Sequence, residues 1–195
     1  MRAFRKVSLV SLSIVTVVIA LAILSAAQTE QSDKTSKIQI KNFGCINENF
    51  YRGAQPKERD YADLAAMGVK TVIDLQRNGP ENEQSLVEAQ GMKFFRIPMS
   101  DSSTPAPGQG ELFLKLINDP ANHPVFVHCA GGRHRTGAMS AIYRITNDGW
   151  SAEQAYSEMK RYDFEYGFGH GSLKRYVFAF YSHLEDKGVV AGSEK

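Results

Sequence analysis

The stretch Val127-His128-Cys129-Ala130-Gly131-Gly132-Arg133-His134-Arg135-Thr136-Gly137 sets one cysteine and one arginine at the two ends of a short, glycine-bearing loop. An apolar run at 124–127 leads into it, and a helix-like run beginning near Arg135 leads out. A free cysteine has a pKa of about 8.5 and is mostly thiol at neutral pH. Between a strand and a helix N-terminus, orphan N–H groups and the macrodipole favour the thiolate. The N–H groups of Ala130, Gly131, Gly132, Arg133, His134 and Arg135 can wrap into an anion-binding nest, and the two glycines permit the backbone angles of such a wrap. The planar fork of Arg135 suits two equatorial phosphate oxygens. These groups would also stabilise charge on a phosphoryl group in transfer. Cys-x5-Arg followed by Thr-Gly therefore points to a thiolate attacking a phosphate ester. Thr136 is expected to donate a hydrogen bond to the Cys129 sulfur and help it leave. Strand alternation turns His128 away from Cys129, so it reads as a residue that holds the loop and not as a base. A lone cysteine is ordinarily a small buried hydrophobe, but that reading leaves the glycines, Arg135 and Thr136-Gly137 unexplained.

Working outward, the strand entering the loop is one of a series. Residues 38–40 alternate like a strand, and 49–53 form a second. Residues 69–75 (VKTVIDL) are a β-branched run suited to a buried parallel strand. Residues 92–97 make the next. Helices are expected at 58–67, 81–90 and 111–118, then from 137, and again at 173–184. Ser151-Ala152-Glu153-Gln154 is a capping box with Trp150 ahead of it. Strands alternating with helices give an α/β domain: a mainly parallel central sheet flanked by helices, with the Cys-x5-Arg loop between strand and helix.

The 195 residues suffice for one domain plus a leader, with 43% hydrophobic and 23% charged residues. The net charge is +2, but Arg2, Arg5 and Lys6 precede an uncharged run of 21 residues at 7–27; without those three positive charges +2 becomes −1. A nucleic-acid partner is not expected. The run 7–27 is long for a signal core and near the roughly 20 residues of a membrane span. A retained anchor leads a cleaved signal ending at Ser25-Ala26-Ala27. Either reading puts the catalytic domain outside the cytoplasm, anchored to the membrane or exported. Residues 28–37 read as a flexible linker, 38–186 as the folded domain and 187–195 as a frayed tail. A monomer is expected. Of the two cysteines, Cys45 reads as a small buried residue in preference to a resolving partner for Cys129.

At His128, Cys129, Gly132, Arg135, Thr136 and Gly137 the chain resembles the cysteine-dependent protein tyrosine and dual-specificity phosphatases, whose loop reads H-C-x-x-G-x-x-R-[ST]-G. Tyr51-Arg52-Gly53-Ala54-Gln55-Pro56 and the stretch 68–75 are similar to small atypical dual-specificity members. The resemblance implies the superfamily's fold and a metal-free, cofactor-free, two-step mechanism through a phospho-cysteine. It also implies a general acid on a mobile loop about 30 residues before the cysteine. Asp101, 28 residues before Cys129 and just after a strand, fits that place. Asp119 is the runner-up. Asp74 reads as a residue that orders backbone or pairs with Arg52 or Arg77.

The expected substrates are phosphorylated proteins or small phosphate esters. Arg133 and His134 could favour a phosphoinositide or inositol polyphosphate, although a solvent-facing rim position explains them as well. The aromatic stretch from Tyr162 onward either lines the pocket mouth or packs the core. A rhodanese-like sulfurtransferase fits the glycine, arginine and Thr-Gly pattern poorly. A non-catalytic phosphate-binding module is disfavoured by the presence of both Cys129 and Arg135.

Overall fold

The computed structural model describes residues 38–165 and 169–190. The described residues from Gln39 onward form one compact unit. Five strands build its sheet: β1 (Gly44–Asn47), β2 (Phe50–Ala54), β3 (Thr71–Gln76), β4 (Lys93–Met99) and β5 (Val125–Cys129). The spatial order is β1-β2-β5-β3-β4; only the β1–β2 pair is antiparallel. The sheet is thus mainly parallel, as its apolar strands suggest. Chain order reverses around β5, which places the C-terminal end of β5 where ligands bind in open α/β sheets.

Six helices accompany the strands: α1 (Asp60–Ala66), α2 (Glu83–Glu88), α3 (Gln109–Asn118), α4 (His134–Asp148), α5 (Ala152–Arg161) and α6 (Gly171–Asp186). Period-2 alternation along β5 sorts its side chains between two faces. Val125, Val127 and Cys129 join the main core with Phe113, Met139, Ile142, Ala155, Leu173 and Val177 from α3 to α6. Phe126 and His128 turn to the other face, where Phe126 stacks near Phe43 and His128 meets Glu83 of α2. Each buried apolar side chain contributes about 1.5–3 kcal/mol, so the strand that ends at Cys129 is anchored on both faces. Ser151 and Gln154 form the expected capping box at α5.

Several expectations need correction. Residues 38–40 are not a strand; the first strand begins at Gly44. Cys45 is exposed and not buried, because alternation in β1 buries its neighbours Gly44 and Ile46 instead. Both cysteines are free thiols. The membrane-anchored, extracytoplasmic placement also needs correction: no helix among the described residues is long and apolar enough to cross a membrane. The longest, α6, has 16 residues and carries Lys174, Arg175, Glu185 and Asp186, against the roughly 20 apolar residues a crossing takes. The run 7–27, the linker 28–37 and residues 191–195 lie outside the described residues.

Candidate active site

Cys129 closes β5 with 2% of its surface exposed. The chain turns through residues 130–133 and enters α4 at His134. Gly132 carries the turn at φ +64°, and a Cβ there would strike the backbone of Gly53 and Ala54. Gly131 is under no such demand: its φ is ordinary, and a Cβ there would meet only the Arg133 side chain, at 3.5 Å. The second glycine is therefore the obligatory one.

Three partners remote in sequence fix the loop's carbonyls. Asn42 Nδ2 donates to the carbonyls of Gly132 (3.2 Å) and Tyr162 (2.9 Å). The Gln55 N–H donates to Ala130 (3.3 Å), and Arg52 Nη2 to Gly132 at 2.6 Å. Fixing the carbonyls fixes the peptide planes, and with them the direction of the N–H groups offered to an anion.

Arg135 is half-buried in the first turn of α4, and its Nη1 donates to the Met99 carbonyl at 3.4 Å. That contact ties it to the end of β4, two residues before Asp101. Asp101 is exposed and lines a depression of about 290 Å³ together with Cys129, Ala130, Arg135 and His170. An adjoining depression of about 270 Å³ holds Asp101 and Arg135 with Gln76, Arg77, Asn78 and Ser100. The nucleophile, clamp and acid candidates thus share one depression. Asp119 is not among its residues: it caps a short 3-10 turn by accepting from Ala121 N–H.

The other candidates differ from expectation in detail. Thr136 is fully buried with its Oγ1 unbonded, so the expected hydrogen bond to the Cys129 sulfur is not formed. Arg133 and His134 are half-buried and do not simply point to solvent. Arg133 Nε lies 3.7 Å from Asp163. The His134 ring stacks on His170 at 3.3 Å and meets Phe164 edge-on at 5.6 Å. Phe164 is core, whereas Tyr162 packs under the loop; residues 166–168 lie outside the described residues.

Behind the loop is a buried polar network. His128 Nε2 lies 2.9 Å from Glu83 Oε1. The same Glu83 oxygen accepts from Tyr61 Oη and Gln55 Nε2, both at 2.7 Å. Asp74 pairs with Arg96 at 2.7 Å, in place of the expected Arg52 or Arg77, and accepts from the Gln76 N–H. Burial alone would raise the Glu83 carboxyl, but His128, Tyr61 and Gln55 outweigh it and hold the group down at about 2. Burial raises Asp74, against the pull of His128, and also raises the Tyr61 phenol, which Glu83 reinforces. Asp74, Glu83 and His128 have the composition of a metal site. The oxygens of both carboxylates are already engaged by Arg96, Tyr61 and Gln55, which a cation would have to displace.

Sequence reasoning did not find Asn42, Glu83, Arg96 or His170, and met Gln55 only within the stretch 51–56, without a role. The one available signal was Arg52, a charged residue inside a strand that is buried at every position.

A mainly parallel sheet that carries a Cys-x5-Arg loop at the C-terminal end of its central strand defines a cysteine-dependent phosphatase. The chain matches, over residues 21–172, the family described as DSP-PTPase phosphatase fused to NAD+ kinase, and it belongs to that family. It is 30% identical over 126 residues to the probable tyrosine-protein phosphatase DG1060 of Dictyostelium discoideum, covering 62% of this chain and 75% of that protein. It is also 30% identical over 108 residues to inositol diphosphatase DSP3 of Arabidopsis thaliana, about half (53%) of each chain. Its fold matches the catalytic core of the PP-IP phosphatase SIW14 from S. cerevisiae, solved with citrate. The TM-score is 0.65 at 20% identity, over 77% of this chain and 94% of that one. The likeness to P. aeruginosa TpbA in complex with pTyr has a TM-score of 0.60 at 22% identity, over 74% and 91% of the chains.

Proposed function

We propose that this chain hydrolyses phosphomonoesters of the phosphotyrosine or dual-specificity type, with Cys129 as nucleophile, Arg135 as phosphate clamp and Asp101 as acid and then base. The observation that carries the reading is the shared depression in which Cys129, Arg135 and Asp101 meet. In the first step the Cys129 thiolate attacks phosphorus. The bond to the ester oxygen breaks, and the leaving oxygen takes the Asp101 proton. In the second step water attacks the phospho-cysteine, Asp101 accepts its proton, and the sulfur leaves as thiolate. The loop N–H groups and Arg135 oppose the charge on the equatorial oxygens throughout.

A second reading, an inositol polyphosphate or diphosphate as substrate, is favoured by one feature. Lys41 and Arg133 line a depression of about 450 Å³ that adjoins Ala130 and Gly131. The relatives named inositol diphosphatases point the same way. A compact domain of this size leaves little room for elaborations that deepen a pocket, which favours broad specificity over either narrow reading.

The test is turnover of an aryl phosphate, a phosphotyrosine and a phosphoserine peptide, a phosphoinositide and an inositol polyphosphate. Vanadate-sensitive, EDTA-insensitive turnover that Cys129→Ser abolishes is the expected result. Metal-dependent turnover that survives Cys129→Ser refutes the scheme.

A further inference from the structure

Among the described residues, Arg52 is the one fully buried cation that the reaction scheme leaves without a task. It stands mid-strand in β2 with 0% of its surface exposed. Its Nη2 donates to the Gly132 carbonyl at 2.6 Å, and the flat face of its guanidinium lies 3.8 Å from the Tyr162 ring centroid. Its Nε and Nη1 are buried without a hydrogen-bond partner. Glu158, an acid whose charge acts on it, is committed to Arg144 through bonds of 2.9 and 3.1 Å. A buried cation without a bonded anion is costly, and a fold retains one where an opposite charge has to be met.

The groups that act on Arg52 are few. Tyr162, Glu158 and Cys129 favour its charge, and Arg144 opposes it; burial, the largest influence, lowers the guanidinium to about 10, still cationic at neutral pH. Of these groups only Cys129 changes charge during the proposed reaction, and it does so beside a phosphate dianion. Arg135 meets that anion from the open side of the loop. Arg52 faces the loop from beneath.

We propose that Arg52 is a positioning residue of this site, which locks the Gly132 carbonyl and supplies, from under the loop, the counter-charge for the anion that the loop holds. The inference rests on the reading of Cys129 as nucleophile. Lysine cannot do both jobs, because only the planar fork gives one N–H to the carbonyl while laying its face on Tyr162.

The test compares Arg52→Met and Arg52→Lys with the wild-type chain. Three quantities are read: the rate of Cys129 alkylation by iodoacetamide between pH 6 and 10, the affinity for vanadate, and turnover of an aryl phosphate. Asp101, Arg133, His134, Arg135 and His170, which line the depression with Cys129, stay unchanged in every variant. Arg52→Met should alkylate at least tenfold more slowly at pH 6.5, with the gap closing by pH 10, and bind vanadate at least tenfold more weakly. Arg52→Lys should recover most of the alkylation rate while leaving turnover depressed. A folded Arg52→Met with the wild-type alkylation profile overturns the proposal, as does a loss that Arg52→Lys shares in full.

If Arg52→Met does not fold, the Arg52 Nε–H resonance, assigned by its loss in Arg52→Lys, is followed in the wild-type protein as vanadate is added. A resonance that does not move also overturns it. The two readings fail separately: turnover that survives Cys129→Ser sinks the nucleophile, whereas an inert Cys129→Ser beside a wild-type-like Arg52→Met sinks Arg52 alone.

Discussion

The floor and the lid of this site are built in opposite ways. On the floor, Cys129, His128, Arg52 and Glu83 are all but inaccessible, and each loop carbonyl from Ala130 to Gly132 has a partner from elsewhere in the fold. On the lid, Asp101 to Thr104 are exposed. They are held by the Ser100 hydroxyl, which accepts from the N–H groups of Ser102 and Ser103, and by His170, whose Nδ1 lies 2.9 Å from the Asp101 carbonyl. The difference follows the chemistry. A nucleophile and its anion nest must be preorganised, because electrostatic stabilisation works only if the dipoles are already aimed. In the proposed scheme Asp101 serves as acid and then as base beside the entrance, a task that calls for movement.

The largest effects test the floor. Cys129→Ser should reduce aryl phosphate turnover to background, read in a steady-state assay with the variant's fold checked by circular dichroism. Arg135→Lys keeps the charge but loses the fork, and should lower kcat/KM by about 10²–10³. A Lys variant with near-normal kcat/KM would mean that the clamp works as a point charge.

The lid comes next. Asp101→Asn should cost about 10² in kcat on an alkyl phosphate and little on an aryl phosphate with a good leaving group. Equal losses on both would remove Asp101 as the acid.

The network behind the floor should show itself in stability rather than in chemistry. Glu83→Gln is expected to cost about 2 kcal/mol near pH 7, measured by urea unfolding. The folded carboxyl, held at about 2, lies below its unfolded value of about 4.3. The ionised group's stabilisation is therefore present in full above the unfolded value and is lost as pH falls through about 4 toward 2. The gap between wild type and variant should close across that window, and a gap independent of pH would contradict the ionised form. The smallest effect is at the hinge of the lid. Loss of one hydrogen bond in His170→Ala, about 1 kcal/mol, should lower kcat roughly fivefold on a poor leaving group only, with His170→Asn restoring part of it. A loss that ignores the leaving group would detach His170 from the lid.

Much of the fold was legible because its signals are local. The β-branched run at 69–75 became β3, which starts at Thr71 rather than Val69 and ends at Gln76, and the capping box at Ser151 marked the start of α5. The alternating residues 38–40 misled, because a period of two carries no information about whether a pairing strand is within reach. The pairings of Asp74 and the exposure of Cys45 were likewise beyond a linear reading, since each depends on which strand lies alongside.

For the site, the sequence by itself placed the candidate nucleophile Cys129, the candidate clamp Arg135 and the two turn glycines in one loop. Strand, turn and helix N-terminus are contiguous there, and eleven consecutive residues hold all three. Only the tertiary structure decided what lies beneath and above that loop. Arg52 is 80 residues from Gly132 and Asn42 is 90, while His170 meets Asp101 across 69. Contacts of that separation exist only once loop closure has been offset by the burial of the whole sheet, and no pattern in neighbouring residues encodes them.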